Sequence, residues 1–168
     1  MTTATMTGPT TGQPLHGGKG DVAALNTLLR GELSAVETYE QALGKFEGKD
    51  SEAAVKELRR IRDEHQSAVG TLRARVLALG GTPYEGSGVW GVFTAAVTGV
   101  AKVMGPHTAV STLRRGEDHG LGEYEDVLQN EDVSVECKYL VRNELQARCK
   151  EHVQALDRLS QELTRSGK

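Results

Sequence analysis

The chain has few of the features that would place it in a membrane, on a nucleic acid or in an oxidising compartment. Its 168 residues contain 2 cysteines and 4% aromatic residues, and the formal net charge is −3. Because it lacks an apolar run of about eighteen residues, we expect no membrane-spanning helix. The small negative charge gives no reason to expect nucleic acid or an anionic membrane as a partner. The N-terminus has no basic segment followed by an apolar one, so we expect no secretory signal.

The two cysteines are predicted to be free thiols. Cys137 and Cys149 lie 12 positions apart in one predicted helix, which corresponds to roughly 18 Å at the helical rise per residue. A disulfide cannot join residues at that distance. Free thiols are typical of reducing compartments, so the sequence predicts a cytoplasmic protein.

The amino-terminal residues differ in composition from the rest of the chain. Residues 1–20 contain 6 threonines, 5 glycines and 2 prolines, which predicts a flexible tail. Residues 21–164 are predicted to form one domain, because the chain is too short for two substantial ones. Charged residues make up 26% of the chain, and with so few aromatic residues this balance is typical of helical bundles.

Apolar residues recur at spacings of three and four over most of the domain, which predicts amphipathic helices. Two turns, EGKDSE at 47–52 and QNEDVS at 129–134, divide them into two helical hairpins. Between the hairpins, VWGVFTAAVTGVAKVM at 89–104 is apolar on nearly every side and is predicted to be a short crossover helix. Two hairpins with one long connection make an all-α four-helix bundle of the topology that ferritin-like folds use.

The crossover helix also predicts a partner. Trp90 and Phe93 lie in this segment, and a helix that is apolar on most sides has to be covered. The segment either packs over the bundle or forms an oligomer interface. We expect a homodimer through it, and an assembly or adaptor function is a further alternative.

The two hairpins repeat one another in sequence. RGELSAVETYEQAL at 30–43 recurs as RGEDHGLGEYEDVL at 115–128, and ELRRIRDEH at 57–65 is matched by ELQARCKEH at 144–152. A repeat of this kind predicts two copies of one helical hairpin, related by a pseudo-two-fold axis.

Each copy contains a glutamate and a histidine within an apolar stripe. Glu32 and Glu117 have apolar residues at helical spacings on both sides, so both are predicted to point into the bundle. The same spacing predicts that His65 and His152 point inward. Folding each hairpin about its turn brings its glutamate level with the histidine of the following helix. The candidate site is therefore a buried cluster of two carboxylates and two imidazoles.

Such a cluster has two chemical interpretations. Burying an ionised carboxylate costs several kcal/mol unless it is paired, hydrogen-bonded or metal-bound. An ion of Fe, Mn or Zn would meet that need, because these metals take imidazole nitrogen and carboxylate oxygen as ligands. A polar core would also meet it, if the carboxylates accept hydrogen bonds from the histidines and from the hydroxyls of Tyr39 and Tyr124. The residues alone leave both interpretations open.

Three longer stretches carry a resemblance to a known family: DEHQSAVGTLRARVLALGGTP, RRGEDHGLGEYEDVL and KEHVQALDRL. The chain resembles a bacterial ferritin-like family of four-helix-bundle proteins of unknown function, over residues 21 to about 163. The resemblance implies a ferritin-like fold, in a superfamily that includes di-iron proteins for iron storage, peroxide reduction and oxidation. Their sites use one glutamate from each of two helices and Glu-x-x-His from each of the other two.

The resemblance places the two buried glutamates and the two buried histidines at ligand positions, but it also reveals a departure. Arg62 replaces the glutamate expected three residues before His65, and Cys149 replaces the one expected before His152. The sequence therefore predicts no complete di-iron site. We expect Arg62 to pair with Glu32 and to repel a cation. Cys149 is expected to be a buried thiol, with a soft metal ligand as the alternative.

Glu64 and Glu151 each directly precede one of the two histidines. They lie about 100° round the helix from that histidine. We therefore expect both at the flank of the cluster, in salt bridges rather than in the core.

The first functional prediction is a non-catalytic ferritin-like bundle of structural or stress-related function, with a polar core of glutamate, histidine and tyrosine. The alternative is a metal-binding protein or oxidase that uses a site of two glutamates and two histidines. The chain has no nucleophile elbow, phosphate-binding loop or paired CxxC motif, so hydrolase, nucleotide-binding and zinc-ribbon functions have no support.

Overall fold

The computed structural model of the chain describes residues 17–44, 46, 52–87 and 105–166. Within these ranges it contains helices and turns and no strand, which confirms the predicted all-α class. None of the described helices is long and apolar enough to cross a membrane. Most of the predicted tail and the crossover helix with Trp90 and Phe93 lie outside the described residues, so the predicted dimer contact stays a prediction.

Four long helical segments build the described structure. They contain five α-helices: α1 Asp21–Leu43, α2 Glu52–Ala78, α3 Pro106–Gln129, α4 Val135–Leu140 and α5 Gln146–Ser166. A π-helical turn, Val141–Leu145, joins α4 to α5, so these two helices form one continuous segment. In this turn the N–H of Gln146 donates to the carbonyl of Val141, five residues back, which widens the helix locally.

The end of α2 follows from its sequence. Gly80 has a φ of 75°, a left-handed conformation that glycine adopts without strain. The next N–H, of Gly81, donates to the carbonyl of Val76 at 2.9 Å, which satisfies a carbonyl at the helix end. These two glycines therefore account for the end of α2.

Asp21 joins α1 to the turn between α3 and α4. Its buried carboxylate accepts hydrogen bonds from the N–H of Gly18 at 2.9 Å and from the N–H and hydroxyl of Ser134 at 2.7 and 2.6 Å. Asp21 is the first residue of α1, since the helix begins after Gly20. These bonds hold the two hairpins together at this end of the structure.

The two hairpins lie with α1 antiparallel to α3. The hydroxyl of Tyr39 donates to Glu117, and the hydroxyl of Tyr124 donates to Glu32. The later residue of α1 thus meets the earlier residue of α3, which fixes the opposite directions of the two helices.

The chain that follows α2 runs back along α1. The side-chain amide of Asn26 donates to the carbonyl of Thr82 at 3.0 Å. Five residues after Thr82, the hydroxyl of Ser87 donates to Glu37 at 3.0 Å. Residues 82–87 therefore follow α1 in its own direction.

Two apolar clusters fill the interior and enclose a polar layer. The lower cluster includes Leu25, Leu28, Leu29, Val69, Leu72, Val76, Val141 and Leu145. The upper cluster includes Tyr39, Phe46, Leu58, Ile61, Val110, Leu113, Leu156 and Leu159. The buried glutamates and histidines occupy helix positions between these two clusters, so the apolar residues above and below shield them from water.

Candidate functional site

The polar layer contains one ionisable residue from each long helical segment. Glu32 lies on α1, His65 on α2, Glu117 on α3 and His152 on α5, and their exposed fractions are 4%, 6%, 5% and 2%. Helical spacing aims all four inward, because the apolar residues beside each of them face the two clusters. The structure therefore brings together the four residues that the sequence predicts to converge.

His65 bridges the two buried glutamates. Its Nδ1 lies 2.7 Å from Glu32 Oε2, and its Nε2 lies 3.0 Å from Glu117 Oε1. Burial acts to lower the pKa of His65, but the two carboxylates outweigh it and raise that pKa to about 10. His65 is therefore an imidazolium at neutral pH, and it donates one hydrogen bond to each glutamate.

His152 bridges a different pair of carboxylates. Its Nδ1 lies 3.3 Å from Glu117 Oε2, and its Nε2 lies 2.7 Å from Glu64 Oε2. Glu64 also accepts a hydrogen bond from Arg60 at 2.6 Å, and Arg60 forms a second salt bridge with Glu57 at 2.9 Å. The cluster is thereby continued toward the surface through Glu64.

The two tyrosines link the hairpins to each other. The hydroxyl of Tyr39 donates to Glu117 Oε1 at 2.6 Å, and the hydroxyl of Tyr124 donates to Glu32 Oε1. Burial, together with the nearby carboxylates, raises the pKa of both tyrosines well above the usual value. Both hydroxyls therefore stay protonated and act as donors, as the polar-core interpretation predicts.

Glu117 is the centre of the cluster. It accepts hydrogen bonds from Tyr39, His65 and His152, and the thiol of Cys149 lies 3.2 Å from its Oε2. Burial acts to raise the pKa of Glu117, but the two histidines outweigh it and hold that pKa well below its ordinary range. A fully buried carboxylate is thus kept ionised by its partners.

The side chain of Arg62 has other partners than the predicted one. The prediction that it pairs with Glu32 is wrong, because its guanidinium lies 3.6 Å from Glu40 and 3.2 Å from Asp63. Sequence spacing indicates the face of the helix on which Arg62 lies but not the direction of its long side chain, which is toward these two carboxylates. The positive charge of Arg62, which was expected beside Glu32 and would repel a metal ion there, is therefore paired elsewhere.

The remaining predicted neighbours divide into buried and exposed residues. Cys149 is buried, and burial beside Glu117 raises its thiol pKa well above the usual value. It is therefore a buried thiol that stays protonated. Glu151 is exposed, while Glu64 reaches inward to His152.

Three of the four predicted ligands form a compact group. Ligand atoms of His65, Glu117 and His152, one from each, lie within 4.8 Å of one another. Glu32 is not in this group, because it faces the opposite nitrogen of the His65 ring. The geometry therefore separates the predicted set of four into three convergent donors and one carboxylate behind a histidine.

A cavity of about 70 Å³, the α1–α3 cavity, opens between α1 and α3 beside the cluster. Small residues, among them Gly31, Ala35 and Gly120, form its walls. Its buried end includes His65 and Glu117. A second pocket, of about 10 Å³, lies on the other side of the cluster, where α2 faces α5.

One protein-family model, described as a domain of unknown function (DUF2383), matches residues 20–130, about two thirds of the chain. The chain belongs to the DUF2383 family. The DUF2383 match contains Glu32, His65 and Glu117 but ends before His152, so α5 and its histidine lie beyond it. No curated protein and no solved structure is significantly similar to the chain. The match confirms the predicted membership of a family of unknown function over residues 20–130.

Sequence reasoning missed the contact between Glu64 and His152 in this DUF2383 chain. Glu64 was expected in a salt bridge at the flank of the cluster, and it does bind Arg60. Its second oxygen reaches a histidine of the other hairpin, and the sequence carries no signal for that contact beyond the repeated Glu-His pair. In the second copy the equivalent glutamate, Glu151, stays exposed. The site is thus less symmetric than the repeat that encodes it.

Proposed function

We propose that this DUF2383 protein binds one divalent transition-metal ion in its core through His65, Glu117 and His152. The observation that carries the proposal is the convergence of one ligand atom from each of these buried residues within 4.8 Å. Two imidazole nitrogens and a carboxylate oxygen are ligands that suit Fe, Mn and Zn. Such an ion would supply a Lewis-acidic or redox-active centre inside the bundle.

The second nitrogen of each histidine supports this assignment. His65 directs one nitrogen to Glu117 and the other to Glu32. His152 directs one nitrogen to Glu117 and the other to Glu64. Metal-ligating histidines characteristically donate their other N–H to a carboxylate, which fixes the ring orientation and strengthens the ligand. Both histidines have this arrangement.

The charges around the group also allow a cation. Arg62 lies on Glu40 and Asp63, and Arg60 is paired with Glu57 and Glu64. Both arginines are therefore paired with carboxylates. Binding would displace the proton on the His65 nitrogen that faces Glu117, so metal uptake is expected to release a proton.

We further propose that the bundle is ferritin-like, built from two repeated hairpins. The antiparallel packing of α1 on α3 and the course of residues 82–87 along α1 support one long connection between the hairpins. The exchange of tyrosine hydroxyls, Tyr39 to Glu117 and Tyr124 to Glu32, supports the pseudo-two-fold relation. These features are independent of any bound metal.

A structural polar core is the second candidate function. It is favoured by the observation that the cluster already satisfies itself: each imidazole nitrogen of His65 and His152 faces a carboxylate, and both buried glutamates accept from a tyrosine. A satisfied polar network of this kind specifies which helices pair. On this account the protein is non-catalytic and needs no ion.

Metal content and thermal stability separate the two candidates. Protein purified without a histidine tag is stripped with chelator, reloaded with Co²⁺, Mn²⁺ or Zn²⁺, and its bound metal and melting temperature are measured. We expect one ion per chain and a higher melting temperature, because a ligand that binds the native state at a hundredfold excess over Kd adds about 2.7 kcal/mol.

A His107→Ala variant serves as the control, since His107 is an exposed histidine outside the cluster. It should retain the ion, whereas His152→Ala should lose it. Less than stoichiometric metal with an unchanged melting temperature in the wild type would favour the structural polar core.

A further inference from the structure

The candidate metal group is enclosed on most sides, so an ion needs a route to reach it. The lower and upper apolar clusters close the layer along the bundle axis. The partner helices of each hairpin pack closely, with Glu32 against His65 in one and Glu117 against His152 in the other. The two remaining sides are the interfaces of α1 with α3 and of α2 with α5.

These two sides differ in the space that they offer. A water molecule needs a cavity of roughly 10–15 Å³. The α2–α5 pocket, at about 10 Å³, has room for one at most, while the α1–α3 cavity has about 70 Å³. Of these two, the α1–α3 cavity is the one with room for an ion that still carries part of its hydration shell.

The α1–α3 cavity leads from solvent to the candidate ligands. The side chain of His119 is 52% exposed at one end of its lining, and His65 and Glu117 form the buried end. Glu123 also lines the cavity, and its side chain is 14% exposed, with Oε1 3.6 Å from His119 Nε2. Oxygen and nitrogen donors therefore occur at the outer end, along the wall and at the buried end.

Gly31 gives the Glu123 carboxylate its place in the wall. A Cβ atom at position 31 would lie 3.0 Å from Glu123 Oε2, closer than side chains tolerate without a shift. Burial raises the pKa of Glu123 to about 7, and the charge of Asp126 adds to that effect. The ionised form of such a carboxylate is poorly stabilised by its surroundings, and an approaching cation would stabilise it.

We propose that the α1–α3 cavity is the entry route for the metal ion and that Glu123 is the carboxylate that first receives it. This inference rests on the proposed function, because it concerns the same metal centre. Glu123 is a transit ligand: it raises the local concentration of divalent cations at the cavity without contributing to the final site. The ligand class is a partly hydrated divalent transition-metal ion.

Uptake kinetics test the route. Chelator-stripped protein is mixed with Co²⁺ in a stopped-flow instrument, and the visible absorption of the bound ion is followed. Gly120→Leu should fill the cavity, since a Cβ at position 120 has no described neighbour nearer than Cys149 Sγ at 4.0 Å. We expect about tenfold slower uptake with the same final stoichiometry and Kd. Gly122→Leu is the matched control, because a Cβ there meets no atom within 4 Å and Gly122 is outside the cavity lining.

Removing the charge at Glu123 provides an independent arm. Glu123→Gln keeps the shape of the side chain and should slow uptake by about threefold to tenfold at low ionic strength, with the difference shrinking in high salt. Glu125→Gln, two positions along α3 and exposed, should leave the rate unchanged. If Gly120→Leu alters the circular dichroism spectrum, and so the fold, the Glu123→Gln variant tests the entry route by itself.

The outcomes separate the two proposals. Wild-type uptake with unchanged rates in Gly120→Leu and Glu123→Gln would overturn the entry route and leave the metal centre standing. Failure of the wild-type protein to take up Co²⁺, Mn²⁺ or Zn²⁺ would overturn both. Slower uptake at an unchanged Kd, confined to the cavity variants, is the supporting result.

Discussion

Replacing Glu117 with alanine is expected to lower the free energy of unfolding of the metal-free protein by about 4 kcal/mol, because it leaves buried partners without a charge or acceptor. Glu117 accepts from Tyr39 at 2.6 Å and lies within 3.3 Å of His65 and His152. Alanine would leave a buried hydroxyl and a buried imidazolium facing an apolar gap. Urea unfolding, monitored by far-ultraviolet circular dichroism, measures the change.

Two companion variants identify the cause of the Glu117 effect. Glu117→Gln keeps the volume and one acceptor but removes the charge, and should cost about half as much. Glu151→Ala changes an exposed glutamate on α5 and should stay within about 0.5 kcal/mol of the wild type. A loss below about 1 kcal/mol for Glu117→Ala would mean that the cluster is not the organising feature of the core.

Glu64→Gln is expected to weaken metal binding by about tenfold to a hundredfold, with little loss of fold. Glu64 holds the outer nitrogen of His152 at 2.7 Å, and its own side chain is 31% exposed. The variant retains a hydrogen-bonding group but no longer presents a charge to the imidazole. Isothermal titration of stripped protein with Zn²⁺ or Co²⁺ gives the Kd directly.

Glu57→Gln is a matched control for this prediction. Glu57 and Glu64 both form salt bridges with Arg60, on the same face of α2, but only Glu64 is bonded to His152. If both variants weaken binding equally, the effect comes from freeing Arg60. If neither does, His152 is not oriented by Glu64 and the argument from the second nitrogen fails.

The helices of this chain were predictable because their apolar periodicity is strong. Leu25, Leu58, Val110 and Leu156 lie at helical spacings from Glu32, His65, Glu117 and His152 in turn, and each is buried. The π-helical turn at Val141–Leu145 was not predicted, because most of it precedes the repeated stretch that begins at Glu144 and no residue in it signals a change of helix type. Helix period is a property of many residues together, whereas a single wide turn depends on packing.

The candidate site was predictable to the level of which residues converge, but not of which atoms meet. The repeat and the stripe positions place Glu32, His65, Glu117 and His152 in one layer, as found. They do not specify how far each helix rotates about its axis. That rotation turns Arg62 toward Glu40 and brings Glu64 to His152, and both contacts depend on side-chain directions that sequence spacing leaves open.

X-ray absorption spectroscopy of the cobalt-loaded protein tests the central claim most directly, since it counts the imidazoles bound to the ion. For the wild type, we expect one Co²⁺ per chain with two imidazole ligands. The His65→Ala and His152→Ala variants should bind no stoichiometric Co²⁺, whereas His107→Ala should give the wild-type spectrum. A cobalt spectrum without imidazole scattering, or a wild-type protein that takes up no ion, would contradict the central claim.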